Sequence, residues 1–213
     1  MRPLIVGNWK MHLTVSEAVA YARTLLPRLG AVGGREVALA PPFTALSSLA
    51  SLLKGSPILL AAQNLFWEDE GPYTGEISGP MLQDLGVTYV LAGHSERRRH
   101  LEETDRAAGL KVRAALRCGL KPILCVGEDE AERTADRAQT VVRTQLARGL
   151  EGVAPGETGR LQIAYEPVWA IGTGKAATSA QVAEMHALIR KELVGLFREA
   201  GSAVRILYGG SVT

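Results

Sequence analysis

The feature that most constrains this fold is the regular alternation of short apolar segments with longer amphipathic ones. The short segments are rich in Val, Ile, Leu and Ala, which is typical of strands buried on both faces of a parallel sheet. We predict seven strands, at residues 4–6, 37–40, 58–62, 89–93, 122–126, 161–165 and 205–208. Helical patterns lie between the strands, so the chain reads as repeated βα units and predicts a parallel α/β fold.

The helices are predicted from their start and stop signals. Thr14 to Glu17 matches a capping box, which starts a helix that ends near Leu29. Ser78 is predicted to cap a short helix that has Pro80 in its first turn. Further helices are predicted up to Leu53 and at residues 104–117, 131–150 and 179–201.

This alternation alone fits an open doubly wound sheet as well as a barrel. Polar candidate residues follow the first, fourth, sixth and seventh strands. In a barrel the loops after the strands converge on one mouth, where the active site lies. The placement of the polar residues therefore favours the barrel.

Length and charge narrow the functional classes. The 213 residues predict one domain, 1–213, and the net charge of +2 from 24 basic and 22 acidic residues gives no sign of nucleic-acid or membrane binding. The basic run at residues 97–100 has no interleaved aromatic residues, so we interpret it as a solvated surface turn. Two cysteines outside any metal or redox spacing, and no signal or membrane-spanning segment, predict a cytoplasmic protein with free thiols.

The clearest chemical signal is a carboxylate at the end of the sixth strand. Glu166 follows an apolar run and precedes Pro167 and a loop of small residues that contains Gly172 and Gly174. A Glu at a strand end is, by itself, more often a solvated loop residue. The glycine-containing loop after it suits a base that works beneath a closing lid.

Five short motifs in this chain together resemble the triosephosphate isomerase family. They occur in the order of that family over essentially the whole chain, which makes the resemblance highly specific. The motifs are Gly7-Asn8-Trp9-Lys10, Ala62-Gln63-Asn64, Gly93-His94-Ser95-Glu96-Arg97-Arg98, Tyr165-Glu166-Pro167-Val168-Trp169-Ala170-Ile171-Gly172-Thr173-Gly174-Lys175 and Tyr208-Gly209-Gly210-Ser211.

The resemblance implies a TIM (β/α)8 barrel and a cofactor-free isomerase that interconverts dihydroxyacetone phosphate and D-glyceraldehyde 3-phosphate through an enediol. It makes Glu166 the base and His94 a neutral imidazole that donates a hydrogen bond to the substrate carbonyl, as is known for this family. Glu96 corresponds to a supporting acid. Lys10 and Asn8 correspond to a cation and a polar donor for the phosphorylated substrate. The two residues are two apart on an extended segment, so we expect them to face the same way.

Backbone N–H groups bind phosphate where glycine permits a close approach. Gly172, Gly209, Gly210 and Ser211 match the phosphate-binding positions of the family. No dinucleotide fingerprint follows the first strand and no His, Cys or carboxylate cluster has metal-ligand spacing, so we expect neither a cofactor nor a metal. The other histidines and Cys125 are assigned structural roles.

The long loop at residues 63–76 implies, by resemblance, a homodimer in which it inserts into the neighbouring subunit; an irregular surface loop is the alternative. The chain ends at Thr213, just past the seventh strand, so the eighth strand of a full barrel lies outside it. Two other functions stay open. One is another phosphate-binding barrel enzyme such as an epimerase, and the other is a truncated, non-catalytic fragment that binds phosphorylated ligand or partner chains.

Overall fold

The structure is a computed structural model that describes residues 2–29, 33–172, 174 and 176–210. Seven strands are present in these residues, close to the predicted positions. They are β1 (Leu4–Asn8), β2 (Glu36–Ala40), β3 (Ile58–Ala62), β4 (Tyr89–Ala92), β5 (Lys121–Val126), β6 (Gln162–Tyr165) and β7 (Arg205–Tyr208).

The described helices follow the strands as the βα pattern predicts. They are α1 (Val15–Leu29), α2 (Phe43–Leu53), α3 (Gly79–Asp84), α4 (Ser95–Leu101), α5 (Asp105–Arg117), α6 (Glu130–Thr134), α7 (Ala138–Gly149), α8 (Ser179–Phe197) and α9 (Glu199–Ser202). Two short 3-10 helices lie at Pro155–Arg160 and Val168–Ala170.

The chain divides into two compact units, and the first comprises residues 1–91 and 114–122. Its strands pair in parallel, β1 with β2, β2 with β3, and β3 with the start of β4. Helices α1 and α2 pack together on this sheet. Their apolar faces join one buried cluster, which includes Ala22, Leu46 and Leu49 from the helices and Leu60 from β3.

The second unit comprises residues 92–113 and 123–213, and it contains Glu166 and His94. Here β6 pairs in parallel with both β5 and β7, with Tyr165 opposite Val126 on one side and Tyr208 on the other. Strands β5 and β6 are buried along almost their whole length, whereas β7 is half-buried. Because all three strands run the same way, their C-terminal ends lie together at one edge of this unit.

Three helix predictions need correction. The run 97–100, expected to be a surface turn, belongs to helix α4. The helix expected at 131–150 is two helices, because Asp136 adopts a left-handed backbone with φ of 55° between them. Arg198, with φ of 57°, likewise divides the expected 179–201 helix into α8 and α9.

The predicted caps are partly present. At the start of α1 the Glu17 carboxylate accepts from the backbone N–H of Thr14 at 2.8 Å, but the Thr14 hydroxyl donates to that same carboxylate rather than capping the helix. Ser78 occupies the N-cap position of α3 without a side-chain cap bond. No helix in the described part of the chain is both long enough and apolar enough to cross a membrane.

Candidate active site

Glu166 is the best-defined candidate for chemistry in the second unit. It follows β6 directly and only 6% of its surface is exposed. One carboxylate oxygen, Oε2, accepts a hydrogen bond from the backbone N–H of Ser95 at 3.0 Å, and the other, Oε1, lies 3.3 Å from Nε2 of His94. The carboxylate is therefore held at the N-terminus of α4, where backbone N–H groups favour negative charge.

His94 is the N-cap residue of α4, and its hydrogen bonds assign its tautomer. Nδ1 accepts from the backbone N–H of Glu96 at 3.2 Å. An imidazole nitrogen that accepts carries no proton, so the proton of the neutral ring is on Nε2. Nε2–H faces Glu166 and can donate to an oxygen placed beside that carboxylate. The role of His94 as an electrophile stays a prediction.

Glu96 also lies beside His94, but its carboxylate makes a longer contact and is more exposed than that of Glu166. Its Oε2 lies 3.8 Å from Nδ1 of His94, and its side chain is about two-fifths exposed. Its backbone N–H makes the contact that orients the imidazole. The predicted supporting role of the carboxylate itself stays a prediction.

Glycine is required where α4 begins. Gly93 has φ of 72°, and its N–H donates to Oε1 of the buried Glu103 at 2.9 Å. Glu103 also accepts from Arg97 Nε and Lys111 Nζ, each at 2.6 Å. Burial alone would raise the pKa of Glu103, but the hydrogen bond and charge of Lys111, with those of Arg97, hold it below its ordinary value. This network fixes the turn that presents His94.

Sequence reasoning missed Glu128, which is fully buried and contacts residues on both sides of Glu166 in the chain. Its carboxylate accepts from Tyr165 Oη at 3.1 Å, Trp169 Nε1 at 2.8 Å and Arg133 Nη1 at 2.8 Å. Glu128 thus ties the strand before Glu166 to the 3-10 helix after it. The sequence did contain a signal, because Gly127 and Glu128 directly follow the fifth strand, where a barrel places its site residues.

Two buried groups near the base have raised pKa values. Burial, and then the charge of Glu128, raise the pKa of the Tyr165 hydroxyl. Burial, and then the charge of Glu166, raise the pKa of the Cys125 thiol well above its ordinary value. Both groups stay protonated at neutral pH, which fits the packing role predicted for Cys125.

Asn8 and Lys10 lie in the first unit, at the end of β1. Asn8 Oδ1 accepts from the backbone N–H of Lys10 at 3.0 Å, and Gln63 Nε2 donates to the Lys10 carbonyl at 2.9 Å. Lys10 is not on an extended segment as we expected, because its φ is 52°. A left-handed backbone is unfavourable for lysine, and such strain is concentrated at functional sites.

The candidate phosphate residues are in part described. Gly209 donates its N–H to the Tyr165 carbonyl at 2.8 Å, and a Cβ on it would lie 3.0 Å from Cγ of Glu166. Gly210 follows at the end of the described segment. Gly172 has φ of 70° and open space around its Cα. Ser211 lies outside the described residues, as do Thr173 and Lys175 of the lid segment.

Within the described residues, no group of three or more His, Cys, Asp or Glu side chains could hold a metal ion. The chemistry that this arrangement offers is proton transfer. It combines a buried carboxylate, the candidate base, with an imidazole N–H group 3.3 Å away.

Known proteins resemble this chain along nearly its whole length. The family model for triosephosphate isomerase matches residues 3–213. The triosephosphate isomerase of Moorella thermoacetica is 52% identical over 211 residues, which cover 99% of this chain and 84% of the relative. That of Chloroflexus aurantiacus is 50% identical over 211 residues, with the same coverage of both chains.

A solved structure agrees with the sequence relatives. The crystal structure of triosephosphate isomerase from Bartonella henselae has a TM-score of 0.89 and 41% identity, and the match covers 100% of this chain and 84% of that one. The predicted α/β fold class, the TIM barrel, is confirmed, with this chain ending after the seventh strand. The chain belongs to the triosephosphate isomerase family.

Proposed function

We propose that Glu166 is the base of the triose-phosphate isomerase activity that this chain carries as a member of its family. The reaction interconverts dihydroxyacetone phosphate and D-glyceraldehyde 3-phosphate, a step of glycolysis and gluconeogenesis. The observation that carries the assignment is the placement of Glu166, which is buried at a strand end with one carboxylate oxygen 3.3 Å from the Nε2–H of His94.

The reaction moves one proton between neighbouring carbons and a second proton between the oxygens that those carbons carry. Glu166 removes a proton from the carbon beside the carbonyl of dihydroxyacetone phosphate, and His94 donates a hydrogen bond to the carbonyl oxygen as negative charge develops there. The proton of the hydroxyl on the reacting carbon passes to the former carbonyl oxygen through the enediol intermediate. The protonated Glu166 then returns the proton to the adjacent carbon, which yields D-glyceraldehyde 3-phosphate and restores the carboxylate.

The other site residues are assigned to binding and charge stabilisation. Lys10 supplies a cation for the phosphorylated substrate and for the developing oxyanion, Asn8 supplies a polar donor, and Glu96 supports His94. The strained backbone of Lys10 supports its role, because local structure must hold it in place. Backbone N–H groups of Gly172, Gly210 and Ser211 bind the phosphate. Gly209, whose own N–H donates to the Tyr165 carbonyl, contributes to the phosphate site by the absence of a side chain.

The segment after Glu166 acts as a lid in this proposal. Its first residues are bound to Glu128. The Val168 N–H donates to the Glu128 backbone carbonyl at 3.1 Å, and Trp169 Nε1 donates to the Glu128 carboxylate. Closure of the segment over the substrate excludes water and limits loss of phosphate from the enediol.

We further propose that the protein is a cytoplasmic homodimer joined through the loop at residues 63–76. The described loop is ordered by its own contacts, since Phe66 stacks on Trp67 with ring centroids 4.1 Å apart and packs on Tyr73 at 4.5 Å. Tyr73 nevertheless leaves 41% of its surface exposed. The organisation of residues 1–213 as a single domain likewise stays a prediction.

The assignment of the base is tested by the substitution Glu166→Gln, which keeps the shape of the side chain and removes its basicity. We expect the isomerisation rate in a coupled assay to fall by at least about 100- to 10,000-fold. Glu192→Gln is the matched control, because Glu192 pairs with Arg143 at the surface and belongs to none of the candidate site motifs. Full activity of Glu166→Gln would show that another group is the base.

A further inference from the structure

Arg133, on α6, contacts the segment that follows Glu166 in two ways. Its Nη1 donates to Oε1 of the fully buried Glu128 at 2.8 Å. Its guanidinium carbon also lies over the indole of Trp169, 4.8 Å from the ring centroid. A cation at this distance from an aromatic face is attracted by the negative face of the ring.

The Trp169 indole is thus contacted at two places, at its Nε1 edge and at its ring face. The edge is fixed because Nε1 donates to the same Glu128 oxygen that Arg133 binds, at 2.8 Å. The face is covered by the guanidinium of Arg133. The Arg133 side chain is 27% exposed, so this contact is partly shielded from water. Trp169 is the third residue after Glu166, so the orientation of its indole constrains the path of the chain as it leaves the base.

The position of Arg133 is itself fixed by its helix. α6 begins with a complete capping box, in which Asp129 and Glu132 bond to each other's backbone N–H groups at 2.7 and 2.9 Å. The Arg133 N–H donates to the Asp129 carbonyl at 3.0 Å. The guanidinium is therefore presented by a rigid turn, which a group that positions another side chain requires.

We propose that Arg133 is a positioning residue for the isomerase reaction. Through its contact with the indole face it holds Trp169 in the orientation from which the segment at 167–172 moves over Glu166. This inference rests on the function proposed above. The simpler alternative is that Arg133 only neutralises the buried charge of Glu128 and has no effect of its own on Trp169.

A pair of variants separates these two roles. Glu128→Gln removes the buried charge and keeps an oxygen that can accept from Trp169 and Tyr165. The double variant Glu128→Gln with Arg133→Met then removes only the guanidinium, with no carboxylate left unneutralised. Arg143→Met is the control for loss of an arginine, since its partner Glu192 is a surface residue.

The first readout does not depend on activity. The chain is labelled with 5-fluorotryptophan, and the fluorine signal of Trp169 is assigned with Trp169→Phe. We expect the signal of Trp169 to broaden in the double variant relative to Glu128→Gln, because the indole then samples other orientations, and to keep its width in Arg143→Met. An equal Trp169 linewidth in Glu128→Gln and the double variant overturns the proposal.

The second readout is kinetic. We expect kcat of the double variant to be about 2- to 30-fold below that of Glu128→Gln, the range that corresponds to loss of one cation–π contact, with both variants folded at the assay temperature. Equal kcat values would overturn the positioning role. If the unaltered chain shows no isomerisation, the proposed function fails, and the fluorine comparison still decides whether Arg133 orients the indole.

Discussion

Among single residues, Gly127 has the closest bearing on the position of Glu166, the candidate base. Gly127 follows β5, and its N–H and C=O are both bound by the side-chain amide of Gln145, at 2.7 and 3.1 Å. The neighbouring Val126 carbonyl accepts from the N–H of Glu166 at 2.8 Å. The backbone of Gly127 therefore lies directly against that of the base.

A side chain at this position would displace Glu166. In Gly127→Ala the new Cβ would overlap the Glu166 carbonyl oxygen, and both strands are held by hydrogen bonds. We expect a loss of about 1–3 kcal/mol of stability or more, as for overpacked cores, together with a large fall in kcat. Thermal melting and the coupled assay measure these effects.

Gly159→Ala is the matched control, because no atom lies within 4 Å of a Cβ at that glycine. Wild-type stability and activity in Gly127→Ala would contradict the close approach of the two backbones.

His186 gives a second prediction at this scale, for pH dependence. Its ring lies edge-on to Tyr165 with centroids 6.2 Å apart, and within the described structure its buried Nε2 has no partner. Burial lowers its pKa below the ordinary 6.5, a hydrogen bond to the Leu207 backbone opposes this, and the charge of Arg190 lowers it further. The folded state thus prefers the neutral ring, so the unfolded chain binds a proton first as the pH falls.

We therefore expect stability to be complete above about pH 6.5 and to decline as the pH falls through the lower pKa of the folded state. His186→Asn removes the titrating group, so its melting temperature should decline less between about pH 7 and pH 5. His100→Asn, at an exposed position of α4, is the control. An equal decline in wild type and His186→Asn would contradict this account.

The sequence alone suggested candidate site residues, but it did not predict their surroundings. Glu166 and His94 follow strands and belong to recognisable motifs, and the structure places them 3.3 Å apart. Glu128 was not found, because its role depends on contacts with Tyr165 and Trp169 some forty residues away along the chain. The left-handed backbone of Lys10 was missed for a similar reason, since it is imposed by bonds from Asn8 and Gln63.

At the scale of elements, α4 is the helix on which the site depends. Its N-terminus binds Glu166 and orients His94. Its own position is fixed by the buried carboxylate of Glu103. This carboxylate accepts hydrogen bonds from Gly93 in the turn before α4, from Arg97 in α4 and from Lys111 in α5. The sequence did not predict α4 as a helix, because its run of charged residues has no apolar periodicity and its packing is through ion pairs.

Removal of the Glu103 charge should lower the free energy of unfolding. Glu103→Gln leaves the buried Lys111 ammonium without its carboxylate, and loss of one partner of a buried pair typically costs about 3–5 kcal/mol. Urea unfolding near pH 7 measures the loss. Glu157→Gln, at a more exposed pair with Arg160, should change stability by less than about 1 kcal/mol.

The sign of the pH effect follows from the lowered pKa of Glu103. The charged form stabilises the fold fully above the ordinary value of 4.5, and this contribution is lost as the pH falls through the lower pKa of the folded state. The stability difference between wild type and Glu103→Gln should therefore narrow below about pH 4. A difference that stays constant with pH would contradict the assigned charge state.

At the scale of the whole molecule, the proposed dimer predicts a sedimenting mass of twice the 22.8 kDa of one chain. The loop at residues 63–76 is anchored within the first unit, since Arg117 donates to the Trp67 carbonyl at 2.9 Å and to Asp69 at 2.7 Å. Tyr73→Lys places a charge on the exposed part of this loop. Because a buried unpaired charge opposes association, we expect the variant to sediment as a monomer.

Leu196→Lys is the control for this experiment, as Leu196 is a similarly exposed apolar residue on α8. A wild-type chain that sediments at 22.8 kDa at micromolar concentration would contradict the dimer.

Hydrogen exchange at the substrate shows whether Glu166 transfers the proton. Dihydroxyacetone phosphate is incubated with the protein in D2O, and proton NMR follows the carbon-bound hydrogens of substrate and product. If Glu166 transfers the proton through an enediol, wild type should form D-glyceraldehyde 3-phosphate and introduce deuterium at the reacting carbon, while Glu166→Gln does neither above background. Deuterium incorporation at the wild-type rate by Glu166→Gln, or none by wild type, would contradict the assignment of Glu166 as the base.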